Sequence, residues 1–277
     1  MSISKSIFDV LEQSSWIRKM FEEGIQLKNQ FGEKNVFDLS LGNPLLEPPE
    51  KFKNKLIELS KSNKTGTHRY MPNQGFHSTR EKVAKSLAKE SEIPITDEEI
   101  IITTGAAGGL NAILKSILNP QDEIIVFAPY FVEYLFYIRN HNGKPVIVKT
   151  DEKFIPDLDD LNKKITNKTK GIIINSPNNP TGVLYPQNIL EKIGEILKNK
   201  EKEFKSEIYL ISDEPYRKII YDNKKYPFIF PHHKRSIIVT SHSKDLGLAG
   251  ERIGYIALSP KDKDKKILFD AIVFSLR

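Results

Sequence analysis

Residues 241–254 read Ser-His-Ser-Lys-Asp-Leu-Gly-Leu-Ala-Gly-Glu-Arg-Ile-Gly. They follow the apolar run Ser236–Thr240 (SIIVT) and lead into Gly254–Leu258 (GYIAL). Both runs are continuously apolar rather than alternating, as expected of strands buried on both faces. The stretch between them joins two buried strands through small residues. It places Lys244 just past a strand end, where α/β sheets gather ligands. Partial burial there lowers a lysine's proton affinity and frees the amine to attack a carbonyl. Gly247 and Gly250 allow a tight turn, and the planar fork of Arg252 suits a phosphate. Taken alone, the stretch also reads as a surface lysine in a glycine-rich loop.

Working outward, five more strands are predicted: Ile100–Thr103, Glu123–Phe127, Pro145–Lys149, Gly171–Asn175 and Glu207–Ser212. Helical spacing of apolar residues falls at Phe52–Ser60, Thr79–Ala88, Leu110–Leu118, Asn188–Leu197 and Lys265–Arg277. This alternation predicts an α/β fold, a mainly parallel seven-stranded sheet with helices on both faces. Residues 1–48 differ. They hold one helical pattern (Ser15–Lys28), the apolar Val36–Leu41 and a Pro48–Pro49 break, and read as an N-terminal arm or part of a smaller domain. Residues 49–277 form the main domain.

Composition narrows the chemistry. The chain has 277 residues, 39% hydrophobic and 28% charged, as expected of a globular protein. It has no cysteine, which excludes disulfides, thiolate metal sites and cysteine nucleophiles. The longest apolar runs are too short to cross a bilayer, so no membrane partner and a cytoplasmic location are expected. The net charge of +6 comes from scattered lysines without an arginine–aromatic cluster, so no nucleic acid is expected either.

Three other predicted strand ends carry polar or small-residue turns. Ile211-Ser-Asp-Glu-Pro-Tyr216 offers an acid for a cationic ring nitrogen and a phenol three residues on. Its alternative is a helix N-cap by Asp213 with Pro215 in the first turn. Asn175-Ser-Pro-Asn-Asn-Pro-Thr-Gly182 offers an amide, or is a plain Pro/Asn turn. Thr103-Thr-Gly-Ala-Ala-Gly-Gly109 aims free N–H groups and a helix dipole at an anion, or is a common strand-to-helix turn. Together these turns supply an amine, an acid, a phenol, an amide and phosphate-binding groups, the set a pyridoxal phosphate site needs.

With these motifs the chain resembles the class I/II pyridoxal-phosphate-dependent aminotransferases of fold type I. The pattern S-x-x-K-x-x-G-x-x-G-x-R-x-G is matched in full. The resemblance implies that Lys244 forms the internal Schiff base and then shuttles a proton. It puts Asp213 on the pyridine nitrogen, and Asn179 and Tyr216 on the ring hydroxyl. It puts Ser241, Arg252 and the backbone of Gly105, Ala106 and Ala107 on the phosphate. Phe131, in PYFVEY, falls where an aromatic ring stacks on the cofactor. In HRYMPNQG, Tyr70 falls where a tyrosine reaches the phosphate of a neighbouring subunit, which implies a homodimer with shared sites. In LSLGNP, Gly42 falls near the substrate carboxylate, and Asn179 is implied to contact substrate as well. The implied reaction moves an amino group between an L-amino acid and a 2-oxo acid. A β-lyase, a racemase, or a truncated remnant that binds cofactor without turnover are the alternatives. The family continues beyond residue 277 into a smaller domain with the arginine for the substrate α-carboxylate. That domain is expected to be missing here, with Lys265–Arg277 an interrupted helix. Trp16 reads as a core or interface residue, or as lining the substrate entrance.

Overall fold

The computed structural model describes the chain except Met1, Ser40, Leu41 and Arg277. The side chains of Ser6, residues 9–18 and Phe21 also lie outside the description, Trp16 among them. The chain divides into two compact units, Met1–Leu45 and Leu46–Arg277.

The first unit is built on helix α1 (Lys5–Phe31), longer at both ends than its apolar spacing indicates. The Ser4 side chain caps its N-terminus by accepting from the Ile7 N–H. Gly32, at φ 84°, ends it. Lys28 pairs with Asp38 at 2.8 Å to fold the following segment back.

The second unit holds helices α2 (Glu50–Ser60), α3 (His77–Ser91), α4 (Gly105–Ile117), α5 (Glu133–Asn140), α6 (Leu158–Lys164), α7 (Gln187–Phe204) and α8 (Lys265–Ser275). Its strands are β1 (Ile100–Thr103), β2 (Glu123–Phe127), β3 (Lys144–Val148), β4 (Thr169–Asn175), β5 (Tyr209–Asp213), β6 (Ser236–Ser241) and β7 (Gly254–Leu258). They form one sheet in the order β1-β7-β6-β5-β4-β2-β3. All pairings are parallel except those of β7, which runs against both β1 and β6. The seven-stranded, mainly parallel sheet expected from the apolar runs is therefore present. Isoleucine-rich strands bury both faces: residues of α3, α6 and α7 pack on one, and residues of α4, α5 and α8 on the other.

Two differences from the sequence reading have physical causes. Helix α4 begins at Gly105, well before the apolar spacing starts at Leu110. Its opening residues are small because the sheet lies against them: a Cβ on Gly109 would come within 2.7 Å of Val239 Cγ2. Tertiary packing there outweighs poor helix propensity. Helices α5 and α6 are too short for a periodic pattern to stand out.

The register brings the strand ends together. Asn175 lies beside Asp213, and Asp213 beside Val239, two residues short of Ser241. Ser241 lies beside Gly254, and Gly254 beside Thr103. The strand-end turns singled out in the sequence thus meet along one edge of the sheet.

Helix α7 tests this packing. A Cβ on Gly194 would overlap the carbonyl oxygen of His232. In an open helix Gly→Ala gains about 1 kcal/mol. Here the oxygen is backbone and cannot swing away, so Gly194→Ala is expected to destabilise the chain by about 1–3 kcal/mol. Urea unfolding checks this; a midpoint at or above the parent's would refute the close packing.

Candidate active site

The acid turn ends β5. Asp213 is 5% exposed, and its Oδ2 accepts a 2.6 Å hydrogen bond from the Tyr134 hydroxyl. Its Oδ1 is buried and has no hydrogen-bond partner among the described residues. Asp213 does not cap a helix: the chain passes from β5 into turns rather than a helical segment. Asn175 Nδ2 donates to the Asp213 carbonyl at 2.9 Å, and Asn175 Oδ1 accepts from the Asn179 N–H at 2.6 Å. The amide turn is thus bolted to the acid turn. Tyr216 is half-buried, and its phenol is raised by burial and by Asp213, with the Asn179 side chain pulling it back. Phe131 meets Tyr134 edge-on at 5.6 Å, which brings it to the same corner.

The anion turn lies further along the edge. Helix α4 starts at Gly105 with no side-chain cap at Thr104, so the N–H groups of Gly105, Ala106 and Ala107 open its N-terminus. Arg252 is exposed and held at φ 53°, and its Nη1 donates to the Ala249 carbonyl at 3.1 Å. A Cβ on Gly105, itself at φ 74°, would come within 3.2 Å of Arg252 Nη2. The guanidinium therefore stands over the open helix end. Gly254 is needed for this approach, since a Cβ there would lie 2.5 Å from the Thr240 oxygen and 2.8 Å from the Gly105 carbonyl carbon. Ser241 is 6% exposed and ends β6 next to Gly254.

Lys244 follows on the same loop. It is half-buried, and burial lowers its amine from the ordinary lysine value. Gly247, at φ 67°, lets the loop pass the Leu46 carbonyl, where a Cβ would sit 2.6 Å away. A groove of about 630 Å³ runs past Asn179 and Tyr216 and is also lined by Ile219, Tyr221 and Lys224. That volume suits a small-molecule ligand.

Of the other expected residues, Tyr70 is fully exposed, and Gly42 belongs to the first unit. One residue at the heart of the site escaped the sequence reading, Tyr134. Its only signal was its place at the end of PYFVEY, three residues after Phe131. Among the described residues no cluster of His, Asp and Glu could hold a metal ion. No described helix is long and apolar enough to cross a membrane.

Burial raises the Asp213 carboxyl from 3.8 to about 7, against the opposing pull of the Tyr134 hydrogen bond. The folded chain then holds this proton more tightly than the unfolded chain. The group's stabilising contribution is full below the ordinary value and is lost as pH rises through about 7. With no ligand bound, Asp213→Asn is expected to remove this loss and to raise stability at pH 8 by up to about 4 kcal/mol. Urea midpoints between pH 4 and 8 check this; parallel curves for the two proteins would refute it.

Comparison with known proteins agrees with the fold and the family resemblance. Residues 34–273 match the family described as aminotransferase class I and II. A probable aspartate/prephenate aminotransferase of Thermus aquaticus is 37% identical over 80% of this chain and 56% of its own length. The aspartate aminotransferase of Pyrococcus horikoshii is 32% identical over 89% of this chain and 60% of its own. The crystal structure of an aminotransferase from Eubacterium rectale superposes with a TM-score of 0.94 at 34% identity, covering 99% of this chain and 70% of that one. The chain thus spans little more than half the length of the curated relatives it matches. On the match over residues 34–273 and these likenesses, the chain belongs to the aminotransferase class I and II family.

Proposed function

We propose that the chain binds pyridoxal 5'-phosphate and takes part in moving an amino group from an L-amino acid to a 2-oxo acid. The observation that carries this reading is the Asp213 carboxylate: buried, held on one oxygen by Tyr134, and left on the other without a partner among the described residues. Such an atom fits a cationic ring N–H, which would also keep the acid ionised. The open end of α4 beneath Arg252 fits a phosphate. When bound, pyridoxal phosphate supplies an aldehyde carbon for amines and a ring that takes up the electron pair of a broken Cα–H bond.

The chain's own residues divide the remaining work. Ser241, Arg252 and the N–H groups of Gly105, Ala106 and Ala107 bind the phosphate. Phe131 stacks on the ring face, and Asn179 and Tyr216 hold the ring hydroxyl. Lys244 would hold the cofactor through its Nζ, and its freed amine would take the proton from the substrate Cα and pass it to the cofactor's carbon, helped by its lowered proton affinity. Gly42 is assigned to the substrate carboxylate on its motif alone. Tyr70, wholly exposed, is assigned to the site of a second copy in a homodimer. Aspartate, named in several relatives, is the amino donor to test first.

Mixing the chain with pyridoxal 5'-phosphate is expected to give a visible absorbance band that reduction with borohydride fixes on Lys244. Added aspartate is then expected to yield oxaloacetate and the amino form of the cofactor. Lys244→Ala is expected to abolish the fixed label and slow the amino transfer at least about a hundredfold. A chain with no band, or a label on another lysine, would sink this reading. Release of ammonia in place of the amino form would shift it to a lyase.

A further inference from the structure

Behind the site, on the opposite face of the sheet edge, lies a second polar cluster that the roles above leave unused. Asp213 and Glu214 are consecutive at the end of β5, so they point to opposite faces. Asp213 turns toward Tyr134 of α5, and Glu214 turns the other way. The Glu214 side chain is 0% exposed, and its Oε2 accepts from Arg217 Nη1 at 3.0 Å. Arg217 Nη2 donates to the Tyr255 hydroxyl at 2.9 Å and lies 3.3 Å from Glu90 Oε2 of α3. The guanidinium also sits over the Phe228 ring at 5.6 Å.

The cluster adjoins the Tyr216 turn, the Lys244 loop and the strand that packs on Gly105. Arg217 directly follows Tyr216. Tyr255 directly follows Gly254, which packs on Gly105. The His242 ring stands tilted beside the Tyr255 ring at 6.3 Å, and its Nδ1 lies 3.1 Å from Asp245 Oδ2. His242 and Asp245 flank Lys244 on its loop, and the Leu248 N–H closes that loop on the His242 carbonyl at 3.1 Å. The β5 and β6 ends are tied as well: Glu214 N–H donates to Val239 at 2.8 Å, and Thr240 Oγ1 donates to the Glu214 carbonyl at 2.9 Å.

We propose that Glu214, Arg217 and Tyr255 form a positioning cluster that sets Asp213 and Tyr216 against the Lys244 loop and neutralises the buried Glu214 beside them. The inference rests on the cofactor-binding reading and deepens it. None of the three residues is assigned a contact with cofactor or substrate. A solvated surface pair would not do this work, but here the groups are almost fully buried, and a lost partner leaves a bare charge next to the site. Burial raises the Glu214 carboxyl, and Arg217 and the Tyr226 hydroxyl hold it down. Without Arg217, wherever Glu214 is ionised its charge favours protonated states nearby, Asp213 first, since Glu214 raises that acid, less than burial does.

The test uses the full chain with pyridoxal 5'-phosphate as probe. Dissociation constants, the pH midpoint of the bound cofactor's absorbance change and urea midpoints are measured for the parent, Tyr255→Phe, Arg217→Met, and Arg217→Met combined with Glu214→Gln. Arg217→Met is expected to weaken cofactor binding about tenfold or more and to move the pH midpoint upward by about 1. Adding Glu214→Gln removes the orphaned charge and is expected to return the midpoint to the parent value. Tyr255→Phe removes only a hydroxyl and is expected to weaken binding about two- to fivefold, with a smaller upward move. A purely structural role would lower urea midpoints and leave the pH midpoint in place, and that result would overturn the proposal. If Arg217→Met does not fold, Tyr255→Phe decides, with unchanged binding and midpoint overturning it. A parent chain that fails to bind cofactor overturns the function reading and this inference together. A binding parent with unaltered variants overturns this inference alone.

Discussion

The Tyr134 hydroxyl donates to one oxygen of Asp213, and the other oxygen has no partner among the described residues. Everything around the edge of the sheet is arranged about that half-satisfied acid. A carboxylate buried in this way is costly, and the raised proton affinity of Asp213 expresses that cost. The fold bears it because the strand carrying Asp213 sits in the middle of an isoleucine-rich sheet, covered on both faces. A flexible loop would swing the acid into water instead. Position on a central strand is what keeps the carboxylate dry.

Much of the framework was legible in the sequence because its signals are local. Continuous apolar runs mark strands buried on both faces, and small-residue turns mark their ends. Five runs are found as strands to within a residue, and β4 and β5 shift by one or two at their ends. Lys244, Asp213 and Asn179 stood out since each lies just past or at the end of such a run. The Tyr134–Asp213 bond was not legible, because 79 residues separate its partners and tyrosine is an ordinary helix residue. The Glu214–Arg217 pair was hidden for another reason. At a spacing of three residues it looks like a surface pair in a helical first turn, and only burial distinguishes it.

The Arg252 side of the edge is built differently from the acid side. Its groups are backbone N–H donors and glycines that lie against backbone, with Gly254 fitted between Thr240 and Gly105. Side-chain substitution has little there to act on except Arg252 and Ser241. The acid side depends on side chains throughout: Tyr134, Asn175, Asn179 and the cluster of Glu214, Arg217 and Tyr255 behind them. Adjustment of the site's chemistry therefore has more room on the acid side, and preservation of its anchor falls to the backbone.

Arg252 stands exposed with its backbone in the left-handed region, whereas Asp213 lies sealed at the strand end. This difference in depth imposes an order of arrival. The guanidinium projects its charge into solvent, where attraction persists over roughly a Debye length of 8–10 Å. The buried acid exerts no comparable pull, since below about pH 7 it is largely neutral. On the cofactor role proposed above, an anionic ligand would be caught by its phosphate end before its ring settled. Capture would then depend on ionic strength, and seating on the proton held by Asp213, so salt and pH would act on separate stages of one encounter.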